Sequence, residues 1–211
     1  MSRVRDEVPT HVTLVAVSKT KPQEAIEAAA SIGQIEFGEN RVQEMAEKAS
    51  ALQALNLKWH HIGHLQTNKV KQVVPHAHLI HAVDSERLLA EINKRSASIG
   101  KVSDVLLQIH IATEASKFGW SFSEFESFLQ SQSWTGLAHV RIRGLMGMAT
   151  FTDDHQQVRR EFQSLKKAFD SATTLNKDWD TLSMGMSGDW KIGVDEGSTM
   201  VRIGSSIFGK R

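Results

Sequence analysis

Lys19 closes the run His11-Val-Thr-Leu-Val-Ala-Val-Ser-Lys19, and a lysine at the end of a buried strand is a candidate nucleophile. Its phase matches Val15 and Val17, so the three side chains share one strand face and the amine stands at the C-terminal end. Partial desolvation there leaves the amine neutral part of the time, as condensation with an aldehyde to a Schiff base requires. The plain alternative is a solvated lysine just past a strand. Lys21, two residues on, faces the Pro22 turn and is read as that ordinary kind.

A second constellation lies near the other end of the chain. Ser183-Met-Gly185-Met-Ser187-Gly188-Asp189 and Arg202-Ile-Gly204-Ser205-Ser206 are rich in glycine and hydroxyls. Glycine lets backbone come close to an anion, and hydroxyls with N–H groups hold a phosphate without net charge. Ordinary Gly/Ser turns are the alternative. Arg202 alternates with Met200 and Gly204, so if Val201 and Ile203 point outward the guanidinium points inward, where it needs an acceptor. A pyridine nitrogen would serve, since arginine is one of its two kinds of partner in pyridoxal phosphate sites. Such an arginine keeps its protons, leaves the ring nitrogen unprotonated and weakens the ring as an electron sink. A barrel carboxylate such as Glu39 or Asp84 is the competing partner.

These groups need a frame that brings strand ends together. Strand patterns fall at His11–Lys19, Ile35–Gly38, Lys58–Gly63, Leu79–Val83, Val105–Ile111, Arg141–Gly147, Thr181–Met184 and Met200–Phe208. Helical patterns separate them: from Pro22 to Gly33, then Val42–Leu55, Asn68–Val74, Glu86–Ser98, Glu124–Gln130, His155–Ala172 and Asp189–Val194. Asp84 and Ser85 supply cap chemistry for the fourth helix and Gly100 can close it. Eight strands alternating with helices predict a closed (β/α)8 barrel, with residues 1–211 as one domain. Barrel chemistry sits at the C-terminal strand ends, with phosphate commonly on the loops after strands seven and eight, where the two Gly/Ser segments fall. Strand eight runs almost into the end of the sequence and about ten residues precede strand one, so the closing seam needs a short N-terminal turn or a partner to cover it.

Composition narrows the function classes. The 211 residues are near the lower size limit of this architecture, roughly 200 residues. Net charge is +1, so no global field would hold the chain on nucleic acid or a membrane surface. The absence of cysteine removes disulfides, thiolate nucleophiles and cysteine metal sites, and fits a reducing cytoplasm. No apolar run approaches the roughly 18 residues of a membrane span, and Met1–Thr10 is no secretory signal, so a cytoplasmic protein is expected. His60, His61 and His64 invite a metal reading, but alternation sends the first two to opposite faces and no His-Glu-x-x-His pattern is present, so no metal is assigned. The start of the Gln66–Lys71 helix is read as a solvated helix end, the Phe and Trp residues as packing, and Met146 and Met148 as gap fillers.

Seven segments, in order, resemble one family. They are Val15-Ala-Val-Ser-Lys-Thr-Lys-Pro22, Phe37-Gly-Glu-Asn40, Ile62-Gly-His-Leu-Gln-Thr-Asn-Lys69, Glu114-Ala-Ser-Lys-Phe-Gly119, Gly144-Leu-Met146, Ser183-Met-Gly-Met-Ser187 and Val201-Arg-Ile-Gly204 with Ile207-Phe-Gly209. Together they are similar to the pyridoxal phosphate homeostasis proteins, from about Val12 to Gly209. The resemblance implies an alanine-racemase-type N-terminal barrel that holds pyridoxal 5′-phosphate as an internal aldimine on Lys19. It further implies that Ser187, Gly204 and Ser205 contact the phosphate, that Arg202 faces the ring nitrogen and that Asn40 lines the site. The chain departs from the family in its short segment before strand one, in Ser205 where threonine is common, and in His110 where asparagine is frequent.

The same resemblance implies a carrier that takes part in cofactor homeostasis, with pyridoxal-phosphate-dependent recipient enzymes as partners; the sequence does not fix the oligomeric state, and a monomer is slightly favoured. A racemase of this barrel type needs a second domain and a tyrosine base, and the chain has no Tyr. The alternatives are a pyridoxal phosphate enzyme of low activity, revealed by exchange of an amino acid's α-proton, and a Schiff-base sugar-phosphate aldolase using Lys19.

Overall fold

The structure, a computed structural model, describes residues 2–114 and 118–209. Eight parallel strands pair in sequence order and close on themselves: β1 (Thr13–Val17), β2 (Glu36–Glu39), β3 (Lys58–His61), β4 (Ala77–Val83), β5 (Ser103–Ile109), β6 (Val140–Gly147), β7 (Thr181–Met186) and β8 (Met200–Ile203). The expected (β/α)8 barrel is present. Its helices are α1 (Ser2–Glu7), α2 (Gln23–Ser31), α3 (Val42–Ala51), α4 (Val70–Val73), α5 (Glu86–Ala97), α6 (Phe122–Ser131), α7 (His155–Leu175), α8 (Trp190–Asp195) and α9 (Ser205–Phe208).

Local chemistry explains where helices begin. Ser85 Oγ accepts from Leu88 N at the start of α5, Ser121 and Glu124 form a reciprocal capping box on α6, and Asp154 accepts from Gln156 N and Gln157 N at the start of α7. Each cap satisfies backbone donors that have no partner inside the helix. Period-two alternation then sorts the strand side chains. Ala16, Phe37, Trp59, Ile80, Val105, Leu107, Leu145 and Leu182 face the helices in the large outer core. Val15, Leu79, Ala82, Leu106, Met146 and Met200 fill the barrel interior.

The closing seam is covered from the N-terminal side. β1 pairs with β8 over Thr13↔Met200 to Ala16↔Ile203, and their outer faces bury Val12, Leu14, Val201 and Ile203 against Val8, Trp190 and the half-buried Val4 and Ile207. The six-residue α1 therefore does what the short N-terminal segment had to do, and Arg5 ties it to the Ile32 carbonyl at the end of α2.

Four expected strands end early: β3 at His61 and not Gly63, β5 at Ile109 and not Ile111, and the first and last, which bound the site. The first was expected to reach Lys19, but β1 stops at Val17 because Thr20 takes the left-handed conformation (φ 64°) and Lys21 N donates to Ser18 O at 3.0 Å, turning the chain. The last was expected to reach Phe208, but β8 stops at Ile203. Gly204 leaves the extended region (φ −120°, ψ −71°) and its carbonyl accepts from both Ile207 N and Phe208 N, which winds Ser205–Phe208 into one helical turn.

His61, on the outer face of β3, is fully buried, and neither ring nitrogen has a hydrogen-bond partner among the described residues. Burial, with His64 nearby, pushes its pKa down from 6.5 to about 4. An unfolded chain thus binds a proton at His61 below pH 6.5 that the folded chain refuses until about pH 4, so stability is lost as pH falls through that window. The linkage is about 2 kcal/mol at pH 5. His61→Leu, an apolar side chain for an unpartnered polar one, is expected to match wild type in urea denaturation at pH 7 and to exceed it by about 2 kcal/mol at pH 5; a constant difference between the two pH values would refute the assignment.

Candidate functional site

The site is built at the C-terminal ends of four neighbouring strands. In barrel order these are β7, β8, β1 and β2, and they bring Ser187, Arg202, Gly204, Ser205, Lys19 and Asn40 to one side of the mouth.

Lys19 is partly exposed in the turn after β1. Val15 belongs to the interior, and the period of two carries Lys19 to that same side, above Val17. The intervening Ser18 faces outward into a buried polar cluster that fixes the turn. Ser18 Oγ donates to Glu39 Oε1 at 2.6 Å, and Lys48 Nζ donates to Ser18 O at 2.9 Å and to Glu39 Oε1 at 2.8 Å. Glu44 Oε1 takes a further bond from Lys48 at 2.7 Å and the N–H of Thr20 at 2.6 Å. Burial raises the Glu39 pKa, against the pull of Lys48 and Ser18, whereas in the more exposed Glu44 the bonds from Lys48 and Thr20 N overcome the smaller effect of burial and lower it. Lys21, set aside on sequence, ties the turn to the far side of the seam through the carbonyls of Phe208 and Gly209, at 2.9 and 3.3 Å.

Arg202 pairs in register with Val15 and points inward, opposite to Val201 and Ile203. It is 3% exposed. Its Nη1 donates to Ser183 Oγ, its Nη2 to Gly147 O at 3.0 Å, and among the described residues no carboxylate lies within ion-pair distance. Neither Glu39 nor Asp84 is its partner: Glu39 belongs to Lys48, and Asp84 Oδ2 lies 3.1 Å from His64 Nδ1. Burial without a paired charge pushes the guanidinium pKa down to about 10, with Asp189 opposing.

The two Gly/Ser segments meet. Gly204 N donates to Ser187 Oγ at 3.2 Å, which joins the exits of β7 and β8, and Asp189 Oδ1 accepts from Met186 N. A side chain at Gly204 would place its Cβ 3.2 Å from Val17 O, a tight contact, so glycine eases the close approach of this backbone to the strand that leads to Lys19. Ser205 follows, exposed at the start of α9. Asn40 is half-buried just after β2, its backbone against Gly63, where an added Cβ would lie 2.3 Å from Asn40 O.

Across the mouth, His64 stacks on Phe118 with ring centroids 3.7 Å apart, and His110 bonds the Glu114 carbonyl at 3.0 Å through Nε2. His110 is thus engaged by its own loop. Of the segment Glu114–Gly119, residues 115–117 lie outside the described residues. Sequence reasoning missed a buried polar chain behind Arg202. Ser183 Oγ lies 3.2 Å from His81 Nδ1, His81 Nε2 lies 2.9 Å from His60 Nδ1, and His60 Nε2 lies 2.6 Å from Glu36 Oε2. The signal was available: His81 shares the phase of interior Leu79, and His60 that of Ile62, whose side chain faces the interior beside Val15 and Gly38.

The donor set fits a phosphorylated aldehyde on a pyridine ring: an amine, a buried guanidinium with no ion-pair partner among the described residues, and a glycine-serine cradle on adjoining strand ends. Comparison with known proteins agrees. The family model for the alanine racemase N-terminal domain matches residues 1–211. The pyridoxal phosphate homeostasis protein of Vibrio alginolyticus is 40% identical over 207 residues, covering 96% of this chain and 88% of the relative. That of Escherichia coli (strain K12) is 37% identical over 224 residues, covering 100% and 95%. The structure of PipY from Synechococcus elongatus with PLP bound superposes with a TM-score of 0.90 at 34% identity, over 99% of this chain and 97% of that one. The alanine racemase of Clostridium difficile shares the fold at 14% identity and a TM-score of 0.80, over 58% of its own length. On the family match and these full-length relatives, the chain belongs to the pyridoxal phosphate homeostasis proteins, a family built on the alanine racemase N-terminal domain.

Proposed function

We propose that this protein binds pyridoxal 5′-phosphate at the barrel mouth, through Lys19, and serves intracellular cofactor homeostasis as a carrier, handing the cofactor to enzymes that depend on it. The observation that carries the reading is the meeting, on adjacent strands β8 and β1, of an inward-phased lysine and a buried guanidinium with no carboxylate partner among the described residues. The full-length relatives named for this function support it.

When bound, the cofactor supplies an aldehyde that condenses reversibly with an amine and a ring that can delocalise electrons. Lys19 supplies the amine. Lys48, Glu39 and Glu44 hold the turn beneath it, so the amine does not swing with the loop. Ser187, Gly204 and Ser205 offer hydroxyls and backbone N–H groups to the phosphate, and Asn40 closes the site from β2. Arg202, which keeps its protons even at a pKa pushed down to about 10, would donate to the ring nitrogen and leave it unprotonated. That choice favours holding the cofactor over using it: a ring without a protonated nitrogen stabilises a carbanion poorly.

The first test is the absorption spectrum with and without added pyridoxal phosphate. Wild type should gain a band near the visible edge that borohydride fixes covalently, with the label on Lys19 after digestion; Lys19→Ala should lose both. No band in wild type would sink the proposal and favour the aldolase. An amino acid α-proton that exchanges with solvent on the loaded protein would instead make it a weak enzyme.

The turn beneath Lys19 gives a second test. Lys48→Met leaves Glu39 buried without its cation and is expected to cost about 3–5 kcal/mol in urea denaturation. At pH 7 and low denaturant, borohydride trapping on Lys19 should also become slower in the folded variant. Unchanged stability together with unchanged trapping would show that the cluster does not hold the turn.

A further inference from the structure

The polar chain behind Arg202 ends at a cavity on the opposite, N-terminal face of the barrel. That cavity holds about 290 Å³, and Glu36, Lys58, His60 and Asp104 are in its wall. The links themselves are buried: His60, His81 and Ser183 are each at most 1% exposed. Donor arithmetic gives the chain a direction. Arg202 has only protons to offer, so Ser183 Oγ must accept from it. Ser183 has a second lone pair, so the direction is set from the far end. The Glu36 carboxylate only accepts, so His60 Nε2 carries a proton, and with one proton on each ring His60 Nδ1 and His81 Nδ1 are both bare, which leaves the Ser183 hydroxyl to donate to His81. A neutral His81 carries its proton on Nε2, aimed at His60 Nδ1. His60 Nδ1 is bare in turn, and His60 Nε2–H donates to the Glu36 carboxylate.

We propose that His81 and His60 are positioning residues for Arg202, the middle of a one-directional relay from Arg202 through Ser183, His81 and His60 to Glu36, by which protonation at the N-terminal cavity is felt at the mouth. A proton gained by His60 at Nδ1 would face the Nε2–H of His81. At equilibrium His81, still neutral, then carries its one proton on Nδ1, exchanged through water when the column opens, and donates to Ser183, whose hydroxyl turns away. Ser183 Oγ now serves two donors, and the hold on Arg202 weakens. One proton enters at His60 and none leaves, so the barrel axis gains one positive charge.

The groups that set this balance come from every strand around the chain. His60 faces Glu36 on β2, Lys58 on its own strand, and His81 and His78 on β4, the His78 ring centroid 5.6 Å away. His78 is also within the influence of Asp104 on β5, and His81 faces Ser183 on β7 and Arg202 on β8. Burial, then His60, lowers the pKa of both His78 and His81, and although burial opposes it, the His60 and Lys58 contacts hold Glu36 near 2. Near neutral pH, Glu36 is therefore a carboxylate and His81 a neutral ring, as the relay requires.

The relay stands apart from the cofactor reading, but its effect at the mouth rests on that reading, and the test separates the two. Nitrogen NMR of the imidazoles in the full chain, without ligand and near pH 7.5, should find His81 and His60 with their protons on Nε2 and Nδ1 bare. His81 protonated on Nδ1 would overturn the direction. Glu36→Gln, at the cavity end where the wall is open, should move the ring-nitrogen signals of His81 as well as those of His60; a change confined to His60 would overturn the relay. Ser183→Ala should move His60 from the other end, with Ser183→Thr restoring it if the alanine variant misfolds. Added pyridoxal phosphate should bind Glu36→Gln with an affinity changed by about threefold or more. Equal affinity with altered tautomers would overturn the positioning role, whereas failure of wild type to bind at all would defeat the cofactor reading and leave the tautomer result standing.

Discussion

The hydrogen-bonded ladder between β1 and β8 is the constraint on which the rest of the molecule depends. It closes the barrel and sets Val15 beside Arg202. With that register fixed, alternation does the remainder: Val15 inward means Lys19 inward two pairs later, and Arg202 inward means Val201 and Ile203 outward under α1 and α8. A slip of one residue at the seam would turn Arg202 to the helices and bury Val201 or Ile203 against the interior column. The apolar cover from Val4, Val8 and Trp190 makes such a slip unfavourable, because it rewards one face only. A six-residue helix is enough for this, since it has a strip of valines to bury and not a whole sheet face.

Two buried cations divide the work of the mouth. Lys48 is compensated locally by Glu39 and Glu44, and its third bond goes to the Ser18 carbonyl, so its charge is spent on holding the turn that carries Lys19. Arg202 is held by a hydroxyl and a carbonyl, both neutral. A buried charge with neutral acceptors keeps part of its desolvation cost uncompensated, and an acceptor arriving at the mouth would offset that cost. The difference separates a structural ion cluster from a binding group, although both are basic side chains with very little exposure.

Much of this was legible in the sequence, for reasons that also explain what was not. Eight short strand patterns separated by helical periods specify the alternation, and Lys19, Ser187, Arg202 and Gly204 lie where a strand's phase carries a side chain or a glycine allows close approach. The ends of β1 and β8 were misread because Ser-Lys-Thr and Gly-Ser-Ser-Ile-Phe continue an apolar or small-residue pattern that periodicity cannot distinguish from strand. What ended those strands was a positive φ at Thr20 and a carbonyl at Gly204 that accepts twice. Lys48 and Glu44 sit four apart on α3 and look like a surface pair; only the packing of α3 over β1 and β2 makes Lys48 a buried anchor. His60 was weighed only as a possible metal ligand and His81 was not singled out, because a relay depends on contacts between β3, β4 and β7 that no linear pattern encodes.

The polar column is costly. Each inward position held by His60, His81 or Ser183 could carry an aliphatic side chain, as Val15, Leu79, Leu106 and Met200 do around them, and a hydrogen-bonded imidazole contributes less to stability than the Leu it displaces. A column this deep is stable only when every member is satisfied. Here Ser183, His81 and His60 each find an acceptor on the way to Glu36, and the chain ends on a carboxylate that Lys58 also contacts at 2.8 Å. The neighbouring His61 shows the alternative: equally buried, on the other face of β3, its ring nitrogens have no hydrogen-bond partner among the described residues and its pKa is pushed down to about 4. Burial alone leaves a histidine as an acid-sensitive weak point. Burial in a directed series lets it hold a guanidinium in aim, which requires that the aim of Arg202 matter more to this barrel than the apolar packing given up for it.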